Sequence, residues 1–218
     1  MLSTNYKNRL YGRTRGRSKK KIDFKKYYET VNKYKFQSFN DKSDYILDIG
    51  TGYGETSIFL SKKFLDKIII SCEKYIDGNI FLLNKIEKNK ITNIRLHNGN
   101  VYDILENVNK KYFRLVWIFF PDPWPKNKHS KRRLITRDFL INLHKILKEN
   151  SEIYIATDSA IYVRSILNTI YNSKDHFVWL NQYKMNLHIK DYFDIETKYY
   201  KKAINSQRKP SLFILRKL

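Results

Sequence analysis

Between residues 45 and 171, short apolar runs alternate with segments of helical period. This alternation bounds the fold more tightly than any other feature of the chain. Residues 45–48, 68–72, 94–97, 115–119 and 152–156 read as strands. Residues 54–64, 76–89, 137–148 and 161–171 read as helices, the second with Ile76, Ile80, Leu83 and Ile86 on one stripe. Such alternation predicts an α/β fold, a mostly parallel sheet with helices on both faces. Residues 177–183 and 211–215 are expected to close it as an antiparallel hairpin around a long loop. The 218 residues suffice for one sizeable core. We expect a single domain over residues 41–218, preceded by a basic arm, residues 1–40, that is partly disordered.

The first strand runs into Asp48-Ile49-Gly50-Thr51-Gly52-Tyr53-Gly54. Glycines there let the backbone turn sharply and approach a ligand closely. A dinucleotide fingerprint requires a third glycine where this chain has Glu55, and a carboxylate at a helix N-terminus disfavours pyrophosphate. S-adenosylmethionine has no phosphate and carries a cationic methionine end, which suits Asp48. Glu73, at the end of the second strand, is placed to accept both ribose hydroxyls, and Asn100, after the third, to meet the adenine edge. The alternative for each is local: Asp48 and Asn100 capping turns, Glu73 pairing with Lys74.

The fourth strand meets Phe120-Pro121-Asp122-Pro123-Trp124-Pro125-Lys126, then the basic run Lys128-His129-Ser130-Lys131-Arg132-Arg133. Three prolines in five residues can continue neither sheet nor helix, so this is a stiff loop. It holds one carboxylate, Asp122, and one flat ring, Trp124, at a strand's carboxyl end, where open α/β sheets bind ligands. Trp124 reads equally as a stacking platform and as a packing wedge. The cations beside it suit phosphate, and His129 reads as a solvated loop residue.

The net charge of +22 is concentrated. Residues 1–35 hold 12 lysines and arginines against 2 acids, residues 120–137 hold 6 against 1, and residues 198–218 hold 7 against none. The remainder is neutral. A neutral body with three cationic segments points to nucleic acid rather than an anionic membrane, since no long basic amphipathic helix is evident. No apolar stretch nears the roughly 18 residues that span a bilayer, and the N-terminus lacks a signal peptide's apolar core. One cysteine, Cys72, excludes an internal disulfide, reads as a packed strand thiol and fits the cytoplasm. Without a His, Cys or Asp cluster at ligand spacing, no metal is expected.

With these motifs in place, the chain resembles the bacterial-type tRNA (guanine-N7-)-methyltransferases, S-adenosylmethionine-dependent enzymes of class I. The resemblance runs from about Leu10 to the C-terminus. Its carriers are the glycine turn, Glu73, the proline loop with Lys131-Arg132-Arg133-Leu134, Ala156-Thr157-Asp158 and Thr197-Lys198-Tyr199. It implies a Rossmann-like, doubly wound seven-stranded sheet and methyl transfer to guanosine N7 at position 46 of the tRNA variable loop. It places Asp48, Gly50, Gly52, Gly54, Glu73, Asn100 and Asp122 at the cofactor, with Asp122 also catalytic. Lys126, Asp158, Thr197, Lys198, Tyr199 and Tyr200 fall to the guanosine, and Lys131, Arg132 and Arg133 to RNA phosphates. Two departures stand out: Asn100 where the family has Asp, and Tyr200 where it has Glu. The expected partner is tRNA, with the protein a monomer or homodimer. Rival readings are another RNA methyltransferase on this scaffold, or a non-catalytic RNA-binding subunit.

Overall fold

A computed structural model describes Tyr11, Gly12, Thr14 and residues 22–218. Seven strands form one sheet: β1 Asp44–Ile49, β2 Lys67–Cys72, β3 Ile94–His97, β4 Phe113–Phe119, β5 Leu147–Thr157, β6 Phe177–Trp179 and β7 Ser211–Lys217. Their order across the sheet is β3-β2-β1-β4-β5-β7-β6. The first five are parallel, and β7 is antiparallel to both its neighbours. The helices are α1 Phe24–Tyr34, α2 Glu55–Lys63, α3 Ile76–Lys88, α4 Val101–Asn107, α5 Arg137–Ile146, α6 Ala160–Tyr171 and α7 Lys198–Asn205.

The strands read as continuous apolar runs because both sheet faces are covered. Along β1, Tyr45, Leu47 and Ile49 point into one core with Val116, Ile118, Phe139, Leu143 and Tyr162. Ile46 points the other way, into a core with Leu60, Ile69, Leu82, Leu115 and Trp117. Successive residues of a strand alternate between faces, so one sequence supplies both cores. From β1 the chain winds outward to β2 and β3, then returns to place β4 on the other side of β1. That reversal opens a crevice at the carboxyl ends of β1 and β4, the place where doubly wound sheets bind ligands.

Two expectations need correction. The stretch read as an arm to residue 40 contains α1, which packs Tyr27 and Val31, four residues apart, against the body. With only two buried positions among lysines, its helical period is hard to see. Residues 1–10, 13 and 15–21 of that stretch lie outside the described residues. The closing strands do pair, but β6 stops at Trp179 instead of Tyr183. There Asn181, 3% exposed, replaces the backbone ladder. Its Oδ1 accepts from Ile214 N–H at 3.0 Å and Trp179 Nε1–H at 2.7 Å, while its Nδ2 donates to the Leu212 carbonyl at 2.9 Å. Among the described residues no helix is long and apolar enough to cross a membrane.

Asn181→Leu keeps the branching of the side chain but leaves the Ile214 N–H and the Leu212 carbonyl of β7 without their Asn181 partner. It is expected to lower the unfolding free energy by about 2–3 kcal/mol, read from the urea midpoint at constant slope.

Candidate active site

A cavity of about 760 Å³ opens at the crevice, with Ile49, Cys72 and Phe119, the closing residues of β1, β2 and β4, in its lining. The glycine turn forms its floor. Gly50, Gly52 and Gly54 have φ of +73°, +55° and +75°, in the left-handed region where only glycine sits without strain. Gly54 also lacks room: a β-carbon there would lie 2.5 Å from Leu82 Cδ1. Gly78, in the first turn of α3, touches the Gly52 carbonyl so closely that a β-carbon would come within 2.0 Å. The turn is thereby packed closely against α3.

Glu73 registers the turn against β2. Its Oε2 accepts from Gly52 N–H and its Oε1 from Tyr75 N–H, each at 2.9 Å. Burial raises its pKa, and the backbone donors work against that shift. A carboxylate offers about four lone-pair sites, so acceptor capacity remains for ribose hydroxyls. Asp48 lies beneath the turn and is 1% exposed. Its Oδ2 accepts from Thr56 Oγ1 at 2.6 Å and Ser57 Oγ at 2.7 Å. Desolvation pushes its pKa up to about 7 against those two hydroxyls. Asp48 therefore fastens α2 to β1 and is absent from the cavity lining. Asn100 likewise takes the local option, as N-cap of α4: Oδ1 accepts from Tyr102 N–H at 3.0 Å, and Asp103 returns a bond to Asn100 N–H.

The proline loop forms the opposite wall. Phe120 and Trp124 have φ of +54° and +42°, unusual for any side chain-bearing residue. Each immediately precedes a proline, which restricts its backbone further. Such conformations cost on the order of 1–3 kcal/mol each and persist only when neighbours enforce them. Arg133 is the enforcer: Nε donates to the Pro123 carbonyl at 2.9 Å and Nη2 to the Trp124 carbonyl at 3.2 Å. Its guanidinium is thus engaged with the loop. Arg132 is also engaged, 4.9 Å from the Tyr11 ring centre and 5.0 Å from that of Trp124. Trp124 lines the cavity, with Tyr11, Arg132 and His129 packed around it. Of the three cations, Lys131 is the one exposed to solvent.

Asp122, exposed on this loop, lines the same cavity as the glycine turn. Tyr199 closes the third side. Its ring lies 6.4 Å from that of Phe120 at 24°, and its Cε2 would be 3.6 Å from a β-carbon on Gly52. Burial first, then the Asp122 carboxylate, raises the Tyr199 pKa. Lys198 also lines the cavity. Thr197 is the N-cap of α7, its Oγ1 accepting from Tyr200 N–H at 3.0 Å. Tyr200 itself is 7% exposed and turns into the core beside His188 and Lys190. Asp158 accepts from Arg208 Nε at 2.7 Å, and Lys126 stands exposed at the start of a 3₁₀ turn.

The cavity thus gathers Gly50, Gly52, Glu73, Asp122, Arg132, Lys198 and Tyr199. Its lining does not include Asp48, Gly54, Asn100, Lys126, Lys131, Arg133, Asp158, Thr197 or Tyr200. It adds Tyr11, Tyr53, Lys74, Tyr75 and Phe120, of which Tyr53 and Phe120 adjoin motifs already visible in the sequence. Among the described residues no three His, Cys, Asp or Glu side chains are grouped to hold a metal.

The parallel sheet with one inserted antiparallel strand, the glycine turn and the strand-end carboxylate define a class I S-adenosylmethionine-dependent methyltransferase. Solved structures agree on the fold. An rRNA methylase from Streptococcus thermophilus aligns with TM-score 0.54 at 14% identity, over 91% of this chain and 98% of that one. A tRNA (m1A58) methyltransferase from Aquifex aeolicus aligns with TM-score 0.51 at 19% identity, over 93% and 72%. The family described as "Putative methyltransferase" matches residues 42–211. A tRNA (guanine-N(7)-)-methyltransferase from Neorickettsia sennetsu is 34% identical over 72% of each chain. One from Wolbachia pipientis is 32% identical over 85% of this chain and 84% of its own. The chain belongs to the tRNA (guanine-N7-)-methyltransferase family, and its methyl donor is S-adenosylmethionine.

Asp48 makes stability depend on pH. Its folded pKa is about 7 against 3.8 for the free side chain, so between those values the folded state binds the extra proton. Stability should therefore fall as pH rises from about 4 to about 7. Urea unfolding across that window should show a flatter profile for Asp48→Asn; equal slopes would place the titration elsewhere.

Proposed function

We propose that this protein transfers the methyl group of S-adenosylmethionine to N7 of a tRNA guanosine, at position 46 in the variable loop, in the cytoplasm. Asp122, on the proline loop, lines one cavity together with the glycine turn, and that juxtaposition supports this reading. When bound, S-adenosylmethionine supplies an electrophilic methyl on a sulfonium. Guanine N7 holds an in-plane lone pair and no proton, so the protein needs no general base. Its tasks are to align two reactants, exclude water and offset the positive charge that grows on the purine.

Particular side chains suit these tasks. Gly50 and Gly52 let the backbone approach the donor, and Glu73 has acceptor capacity for its ribose. The near-parallel rings of Phe120 and Tyr199 offer flat faces to an unstacked base. The Asp122 carboxylate stands beside them, placed to accept from guanine N1–H and the amino group or to oppose the developing charge. Lys128 and Lys131, the exposed cations of the basic run, are the ones free to meet phosphate, supplying affinity without sequence choice. Loss of the family's Glu at Tyr200 does not remove an acceptor from this cavity, since that side chain belongs to the core. This weakens the rival reading of a non-catalytic RNA-binding subunit.

Unmodified tRNA incubated with labelled S-adenosylmethionine should yield N7-methylguanosine at position 46. Label in another nucleoside would overturn the assignment. Asp122→Ala should cut the rate at least tenfold while tRNA binding persists. Lys131→Ala should reduce the salt dependence of tRNA affinity by about one unit of slope. Arg133→Ala should leave that slope unchanged yet slow turnover at least tenfold, because the loop loses the donor that holds it.

A further inference from the structure

Glu55 opens α2, immediately after Gly54, yet its side chain serves a distant helix. Its Oε2 accepts from the backbone N–H of Lys198 at 2.9 Å, across 143 positions of sequence. Lys198 is the first residue of α7. First-turn N–H groups have no partner within their own helix, and a carboxylate there is favoured by the helix dipole. Thr197 Oγ1 takes the N–H of Tyr200, so the Lys198 donor depends on a group from outside α7.

The bond sits at a mechanically sensitive place. A connection from Leu180 to Thr197 leads into α7, and its side chains at Tyr183 and Met185 are fully or nearly fully exposed. Ile195, Tyr200 and Ala203 bury one face of the segment. The opposite face carries Lys198 and Tyr199 toward the cavity. Lys198 Nζ rests 4.2 Å from the Tyr53 ring centre, and Tyr199 lies over Gly52 and against Phe120. Three walls of the cavity therefore converge on the first turn of α7. Glu55 supplies a charge-assisted hydrogen bond, directional where the ring contacts are not, between that turn and the glycine motif.

We propose that Glu55 is a positioning residue: by accepting the Lys198 N–H it sets the height of Tyr199 over the glycine turn, and with it the gap into which the acceptor base enters. This rests on the reading of the cavity as the meeting place of donor and tRNA guanosine. Glu55 lies outside the cavity lining, so it acts through α7 and touches neither reactant. An amide oxygen accepts the same hydrogen bond, whereas alanine and serine cannot reach it.

The full-length protein is compared as wild type, Glu55→Ala and Glu55→Gln. Hydrogen exchange read by mass spectrometry, without substrate, should show α7 first-turn amides exchanging at least tenfold faster in Glu55→Ala, with Glu55→Gln near wild type and α3 unchanged. With unmodified tRNA, Glu55→Ala should lower kcat/KM for tRNA at least fivefold. Glu55→Gln should recover at least half, and donor affinity should stay within twofold in both. Unchanged exchange in Glu55→Ala would overturn the proposal. So would a glutamine variant as impaired as alanine, or a loss of donor affinity matching the loss of turnover. Glu55→Ser repeats the test if the alanine variant does not fold. A wild-type protein that leaves tRNA unmethylated while the exchange contrast persists would locate the failure in the functional reading and not in the tether.

Discussion

One half-buried carboxylate sets the register of the whole site. Glu73 holds the N–H of Gly52 with one oxygen and that of Tyr75 with the other, joining the exits of β1 and β2. Desolvation makes that carboxylate costly, and backbone donors offset the cost. The rest follows by contact. Asn79 Nδ2 donates to the Glu73 carbonyl at 2.9 Å, locking α3 to the same point, and Gly78 presses on the Gly52 carbonyl. Tyr199 rests above Gly52. A shift of the Glu73 side chain would move Gly52 and the contact it makes with Tyr199 together.

Against this floor the proline loop is rigid by construction. Two left-handed residues, each followed by proline, store strain that an isolated peptide would release. Arg133 bonds from below, and the Tyr11–Arg132–Trp124 stack covers it from above. Rigidity suits the chemistry. A reaction that needs alignment rather than proton transfer gains most from walls that do not move. The basic run thus has two uses: part of it faces solvent, and part holds the loop that carries Asp122.

The sheet was legible because burial on both faces leaves unbroken apolar runs, and β1 to β5 fall where those runs lie. The glycine turn and Glu73 were legible because backbone conformation and strand ends are local properties. Other assignments depended on partners far along the chain. Nothing near Asp158 announces Arg208, and nothing near Arg133 announces the carbonyls it holds. Tyr199 and Tyr200 look interchangeable until α7 begins at Lys198. Consecutive helical residues then point about 100° apart, so one enters the cavity and the other the core. Asp48 and Asn100 went to their local partners because hydroxyls and N–H groups of α2 and α4 lie within reach at every moment.

On the proposed function, donor and acceptor meet between the glycine turn and the loop that carries Asp122. A crystal structure with S-adenosylhomocysteine tests it directly. The ribose should lie at Glu73, with the sulfur directed across the cavity toward Asp122. A ligand seated elsewhere, with Asp122 remote from its sulfur, would contradict it.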